Sequence, residues 1–195
     1  MDLPKVTGLA SIAEGDPTKA AVDSAFFKIV NVVEVDAPLK WVWDNWTLNF
    51  DVTKIMTNDP TGKNPTMGTI AQRTGPARDG TPFNEKGSHI YYATVQGGVL
   101  DEVVLQRDHE KLIYEYEFSI GFAFPTGHKV YQSTGPKSSR IIWTYWVRPA
   151  SDDMKARAHE YLKKVWGPFL VNHSVPNLKK AIEGLYAGDE SYRAK

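Results

Sequence analysis

In the run Leu100-Asp101-Glu102-Val103-Val104, Glu102 lies two positions from Leu100 and two from Val104, so in a strand all three project from the same face. A carboxylate on an apolar face loses hydration, its pKa rises, and it can take or give a proton near neutral pH. Facing solvent, or paired with a lysine or arginine of the next strand, the same group has no chemical role, because structural pairs imitate sites. Arg73 shares a strand face with Thr69 and Ala71. Its forked donors suit a ligand carboxylate or an enolate oxygen, and on a surface it is an ordinary solvated cation. His89 alternates with Tyr91, and His173 lies one helical turn from Phe169. His128 is a third histidine of interest. A lone histidine on an apolar face is more often a hydrogen-bonded core residue than a catalyst.

The second group of candidates is aromatic. Tyr114, Tyr116 and Phe118 alternate with Glu115 and Glu117; Trp143 and Tyr145 share a face opposite Trp146; Trp166 and Phe169 are one helical turn apart. Aromatic walls with a few oriented polar groups describe a pocket for planar or polycyclic molecules, and they describe a dry core equally well. Tyrosines differ from phenylalanines here, because each phenol that turns inward requires a partner or a ligand. Trp41, Trp43 and Trp46 crowd one short segment and read as a plug that seals an end of the sheet.

Composition removes other chemistries. The chain has 195 residues, with 23 Lys plus Arg against 23 Asp plus Glu, so no net field gathers nucleic acid. It has no cysteine, which excludes thiol chemistry and permits a reducing interior. No run approaches the length needed to cross a bilayer, and the opening segment lacks a basic start followed by an apolar stretch, so the chain reads as cytoplasmic. No His-Glu-x-x-His, His-x-His, Gly-x-Ser-x-Gly or phosphate-loop spacing occurs, so the sequence calls for no metal and no cofactor.

These side chains need elements to hold them. Residues 1–25, punctuated by Pro4, Gly8, Gly15 and Pro17, read as an irregular N-terminal arm, the part least expected to fold; residues 26–187 form one domain and 188–195 a tail. "FFKIVNVVEVD" alternates as a strand with Phe27, Ile29, Val33 and Val35 on one face. Pro38 then opens a short helix, with Asp36 placed to cap it, on which Val42, Trp43 and Trp46 share a side while Trp41 points elsewhere. "FDVTKIM" reads as a second short helix. A period of two follows in "MGTIAQRT", "SHIYYATV", "GGVLDEVVLQRD", "KLIYEYEFSI", "HKVYQST" and "RIIWTYWVRP", joined by turns that include "GFAFPTG" and "GPKSS". Ser151, Asp152 and Asp153 start a long helix with Ala158, Tyr161, Leu162, Val165, Trp166, Phe169, Leu178, Ile182 and Leu185 along its apolar stripe. Pro168 and Pro176 are expected to kink or break it. The class is α+β: an antiparallel sheet of about seven strands, two short helices after the first strand, and one long helix over the sheet.

That order, with "VEVDAPLKWVWDNW" after the first strand, Gly68 opening the second, "LDEVVLQRDHEKLIYEYE" as a Glu-containing hairpin and "RIIWTYW" as the last strand, resembles the START-like (SRPBCC) superfamily, which includes the birch pollen allergen proteins and the polyketide cyclase/dehydrase and lipid-transfer branch. The resemblance covers about residues 26 to 186. It implies a helix-grip fold, a curved sheet around the long helix, enclosing a cavity for a small hydrophobic or aromatic molecule, polyketide- or terpenoid-like. It does not imply one reaction, because carriers, sensors and cyclases share the fold. Two functions are therefore expected. One is a binder using Tyr91, Tyr114, Tyr116, Phe118, Trp143, Tyr145, Trp166, Phe169 and His173 as its lining. The other is a metal-free cyclase, dehydratase or lyase-type enzyme, in which Glu102 or His89 removes a C–H proton while Arg73 and tyrosine hydroxyls stabilise the enolate. A large exposed aromatic patch would point instead to a protein-docking module.

Overall fold

The computed structural model describes residues 9–10, 27–46, 69–75, 85–94 and 99–189. They form β1 (Leu9–Ala10), β2 (Phe27–Val35), β3 (Thr69–Gly75), β4 (His89–Thr94), β5 (Val99–Asp108), β6 (Ile113–Phe118), β7 (Ala123–Gly135) and β8 (Ser138–Pro149). These make one antiparallel sheet in the order β1-β2-β8-β7-β6-β5-β4-β3. Strand β1 belongs to the segment read as an arm: its two residues pair with Ile29 and Lys28 and extend the sheet edge. The segment read as a second short helix lies outside the described residues.

The alternation of β2 holds: Ile29, Val33 and Val35 are buried, and Asn31 is buried with them on the same face. Strand β7 starts earlier than its sequence suggests. "GFAFPTG" reads as a loop because of its glycines and proline, yet Ala123, Phe124, Pro125, Thr126 and Gly127 are in register with Pro149, Arg148, Val147, Trp146 and Tyr145. Ladder pairing with a long partner strand outweighs the local preference.

Helix α1 comprises Leu39–Trp41 and a wider π turn, Val42–Trp46. Pro38 stands just before it and its carbonyl accepts from the Val42 N–H at 3.0 Å. Asp36 is not its cap; the Asp36 N–H donates to Glu183 at 2.9 Å. Trp41, expected to point away, is buried: its indole N–H donates to Asp189 at 2.8 Å and its ring meets Tyr186 edge-on at 5.0 Å.

After a 3-10 turn at Asp152–Met154, helix α2 runs through Lys155–Tyr161, Leu162–Trp166, Gly167–Phe169, Leu170–Ser174 and Val175–Gly188. The prolines do not break it. Each comes one residue after a π turn, Leu162–Trp166 before Pro168 and Leu170–Ser174 before Pro176, and the intervening Gly167 and Val175 keep helical dihedrals. The wider turn accommodates the missing N–H and the ring that an α turn would reject. Ala158, Leu162, Trp166, Phe169, Leu170, Leu178 and Ile182 are buried against the sheet, while Val165 and Leu185, placed on the stripe by spacing, are exposed. The turn widening shifts the buried face. Gly167 lets the helix approach β2, since a side chain there would begin 3.3 Å from the Ile29 Cδ1.

Candidate functional site

Ladder register brings the inward side chains together. Lys129 on β7 pairs with Tyr114 on β6 and with Trp143 on β8, and Trp143 pairs in turn with Asn31 on β2. Two residues along, Gly127 pairs with Tyr116 and with Tyr145. Tyr114, Tyr116, Phe118, Trp143 and Tyr145 are all buried on this face, and Trp166 and Phe169 of α2 cover it. Trp166 meets Phe118 and Tyr145 edge-on at 5.9 and 6.0 Å. His173 packs against Phe169, with ring centroids 5.5 Å apart.

The polar groups within this aromatic shell are few. The Tyr116 and Tyr145 hydroxyls bond each other, and the Trp143 indole N–H donates to the Tyr116 oxygen at 3.1 Å. Burial raises the pKa of Tyr114, Tyr131 and Tyr145, so the three remain neutral phenols at physiological pH. Glu102 is buried at 4% exposure, beside Val104 and partly buried Leu100 as the alternation predicts.

Lys129 was not among the residues singled out from sequence, and it is the most deeply buried charge of the group. It is 1% exposed, and its Nζ lies 4.4 Å from the Trp143 ring centre, 5.2 Å from that of Tyr116 and 5.9 Å from that of Tyr114. Burial lowers its pKa to about 8, with the negative charge of Glu102 opposing the shift. Ring faces attract the ammonium, while loss of water disfavours it. The signal available in the sequence is that Lys129 alternates with Tyr131 in a strand.

Arg107 was missed for a different reason. The β5–β6 register shifts between Val104 and Gln106, so the face of Glu102 and Val104 continues at Arg107, which pairs with Tyr114. An extra residue in one strand reverses the parity that alternation assumes. The Arg107 side chain is 2% exposed, 3.5 Å from Glu85 and 5.3 Å from the Trp43 ring centre. Trp43 donates to His109 Nδ1 at 3.3 Å, His109 Nε2 lies 3.2 Å from Glu85, and Trp43 meets Tyr131 edge-on at 5.3 Å. Thus α1 closes this end of the sheet, beside a cleft of about 370 Å³ lined by Leu39, Lys40, Trp43, Asp44, His109 and Leu112.

The remaining candidates stand apart from this cluster. His89 pairs with Val103 and Tyr91 with Asp101, off the Ile90–Glu102 rung, so His89 and Tyr91 occupy the opposite face of β4. There His89 bonds Asp101 at 2.8 Å, stacks on Tyr91 at 5.8 Å, and Tyr91 is 38% exposed. An imidazole on that side of the sheet has no path to Glu102. His128 also faces outward, 3.8 Å from Glu115 and against Trp146. Arg73 is in register with Tyr91, and its side chain is outside the described set.

Two buried donors complete the site. The Trp166 Nε1 and the Asn31 Nδ2, in side chains only 6% and 5% exposed, make no hydrogen bond among the described residues. A buried donor without an acceptor costs about 1–3 kcal/mol, so each is a point where an acceptor oxygen would bind favourably.

No protein-family model and no curated protein sequence matches the chain. Solved structures do. Ara h 8.0201 superposes with a TM-score of 0.53 at 12% identity, over 83% of this chain and 98% of that one. The di-domain ARO/CYC BexL of the BE-7585A biosynthetic pathway gives 0.52 at 12% identity, over 80% of this chain and 46% of that one. A Thalictrum norcoclaurine synthase point mutant in complex with a transition-state analogue gives 0.50 at 13% identity, over 80% and 92%. Similarity at this level concerns the fold, and no helix of the described residues is long and apolar enough to cross a membrane. With its antiparallel sheet packed on one long C-terminal helix, the chain has the helix-grip fold seen in Ara h 8.0201.

Proposed function

We propose that this protein binds a small hydrophobic or aromatic molecule, polyketide- or terpenoid-like and bearing at least one oxygen acceptor, between α2 and the inner face of the sheet. The observation that carries this reading is the pair of buried donors without acceptors, Trp166 Nε1 and Asn31 Nδ2, within an aromatic shell. Aromatic faces supply affinity, and the donors set orientation. Tyr114, Tyr116, Phe118, Trp143, Tyr145, Phe169 and His173 complete the lining. The similar folds extend the support, since they include an ARO/CYC protein of a biosynthetic pathway and norcoclaurine synthase in complex with a transition-state analogue. A cysteine-free chain needs no oxidising compartment, which fits a cytoplasmic setting.

Titration with 2-acetylnaphthalene and with 2-ethylnaphthalene, nearly equal in shape, tests the reading. Trp166→Phe and Asn31→Leu should each weaken the ketone about tenfold, the worth of one lost hydrogen bond, and leave the hydrocarbon unchanged. Equal affinity of both variants and wild type for the ketone would count against it.

A second reading is favoured by Glu102 and Lys129, two oppositely charged groups buried together. A carboxylate and an amine of lowered pKa can move a proton to and from a bound carbonyl compound, as a cofactor-free cyclase, dehydratase or lyase requires. Glu102→Gln separates the two. An enzyme would lose turnover and keep ligand affinity within a few fold, whereas a carrier would change in affinity alone.

A further inference from the structure

We propose that Lys129 is a covalent attachment site, whose amine condenses with the carbonyl of an aromatic aldehyde or ketone seated on the inner face and holds it as an imine. The inference rests on the binding reading and narrows its ligand class to carbonyl compounds.

Three features of the site converge on this chemistry. Lys129 is the buried lysine among the described residues, every other one being exposed or half-buried. Its Nζ is surrounded by the rings of Trp143, Tyr116 and Tyr114 at 4.4, 5.2 and 5.9 Å, walls on which a flat aromatic compound stacks with its carbonyl carbon toward the amine. Glu102, also buried and near enough for its charge to act on Lys129, is the candidate acid–base group for the condensation. The nucleophile is the neutral amine. At pH 8 about half of Lys129 is neutral, given its lowered pKa of about 8, against roughly 0.4% of a solvated lysine.

The step balances without an oxidant or reductant. The Nζ lone pair attacks the carbonyl carbon, a C–N bond forms as the C=O π bond breaks, and the oxygen takes the first of the two nitrogen protons. A second proton, passed from nitrogen to that oxygen through Glu102, lets it depart as water and leaves C=N. The Tyr145 hydroxyl, which burial keeps protonated, is the phenol that can donate to negative charge on the oxygen at the tetrahedral stage. Excluding bulk water from the site slows hydrolysis of the product.

The experiment treats the full chain with 2-naphthaldehyde and sodium cyanoborohydride at pH 8, then locates the reduced adduct by intact-mass and peptide mapping. In parallel, native mass spectrometry measures uptake of 2-naphthalenemethanol, which has the same ring and no carbonyl. The expected result is one naphthylmethyl group on Lys129, formed on the order of 100-fold faster than on any exposed lysine. Lys129→Met should hold the alcohol and lose that adduct. Adducts confined to exposed lysines in the wild-type chain overturn the imine. If the alcohol is nevertheless held, the imine alone falls; if it is not, the binding reading falls as well.

Discussion

Tyr116 lies over Gly127, and the bare backbone there is what makes room for it: a Cβ built on Gly127 would sit 2.6 Å from the Tyr116 Cε1 and closer still to Cζ. The two residues face each other across β6 and β7, and Tyr145 flanks Gly127 from β8. The tyrosine hydroxyls meet above the glycine. Gly127→Ala should displace the Tyr116 ring, break its bonds to Tyr145 and Trp143, and cost about 1–3 kcal/mol, as overpacking of a filled core does. Calorimetry should register this as a fall of several degrees in Tm. An unchanged Tm would mean that the Tyr116 ring does not occupy that space.

The same hydroxyl pair gives an asymmetric prediction. Tyr116→Phe removes two bonds at once, the one its oxygen accepts from the Trp143 N–H and the one it shares with the Tyr145 hydroxyl, at a cost of about 1–3 kcal/mol. Tyr145→Phe removes one partner of Tyr116 and leaves the Trp143 bond in place. Urea unfolding should therefore rank Tyr116→Phe as the more destabilising. The reverse order would contradict the hydrogen-bond arrangement.

Stability should also depend on alkaline pH in a defined way. In the folded chain burial lowers the pKa of Lys129 to about 8, against 10.5 for a solvated lysine. Between those values the unfolded chain holds a proton that the native chain lacks, so stability rises with pH there. The buried phenols of Tyr114, Tyr131 and Tyr145 act oppositely. Their pKa values are raised by burial, so above about pH 10 the unfolded chain loses protons that the native chain keeps, and stability falls. Urea midpoints should pass through a maximum at about pH 9 to 10. Lys129→Met should flatten the rising limb and leave the fall in place; a wild-type midpoint that declines steadily from pH 7 would refute the assignment.

Much of this arrangement is legible in the alternation of residues, and the exceptions have physical causes. Glu102 beside Val104, the Tyr114, Tyr116 and Phe118 face, and Trp143 with Tyr145 all lie inward where a period of two puts them. Period two fails at β5, where the register shift carries Arg107 inward. It also places His89 and Tyr91 correctly on one face without saying which face is the inner one. Local composition misleads at "GFAFPTG", because pairing with β8 is a long-range effect. One long helix runs through Pro168 and Pro176 as its stripe leads one to expect, because π turns absorb what would break an α-helix. Lys129 is the hardest to read, since a lysine in an alternating strand normally marks the solvated side. Only the surrounding rings and Glu102 make its burial intelligible.

The central claim is that the space between α2 and the sheet takes up a small aromatic molecule. Native and denaturing mass spectra of the wild-type chain, recorded as purified and after incubation with 2-acetylnaphthalene, test it most directly. One bound molecule should appear in the native spectrum and be lost on denaturation, with occupancy that saturates as the ketone is raised. A native mass equal to that of the bare chain at every ketone concentration would contradict it and leave these aromatics as a dry core.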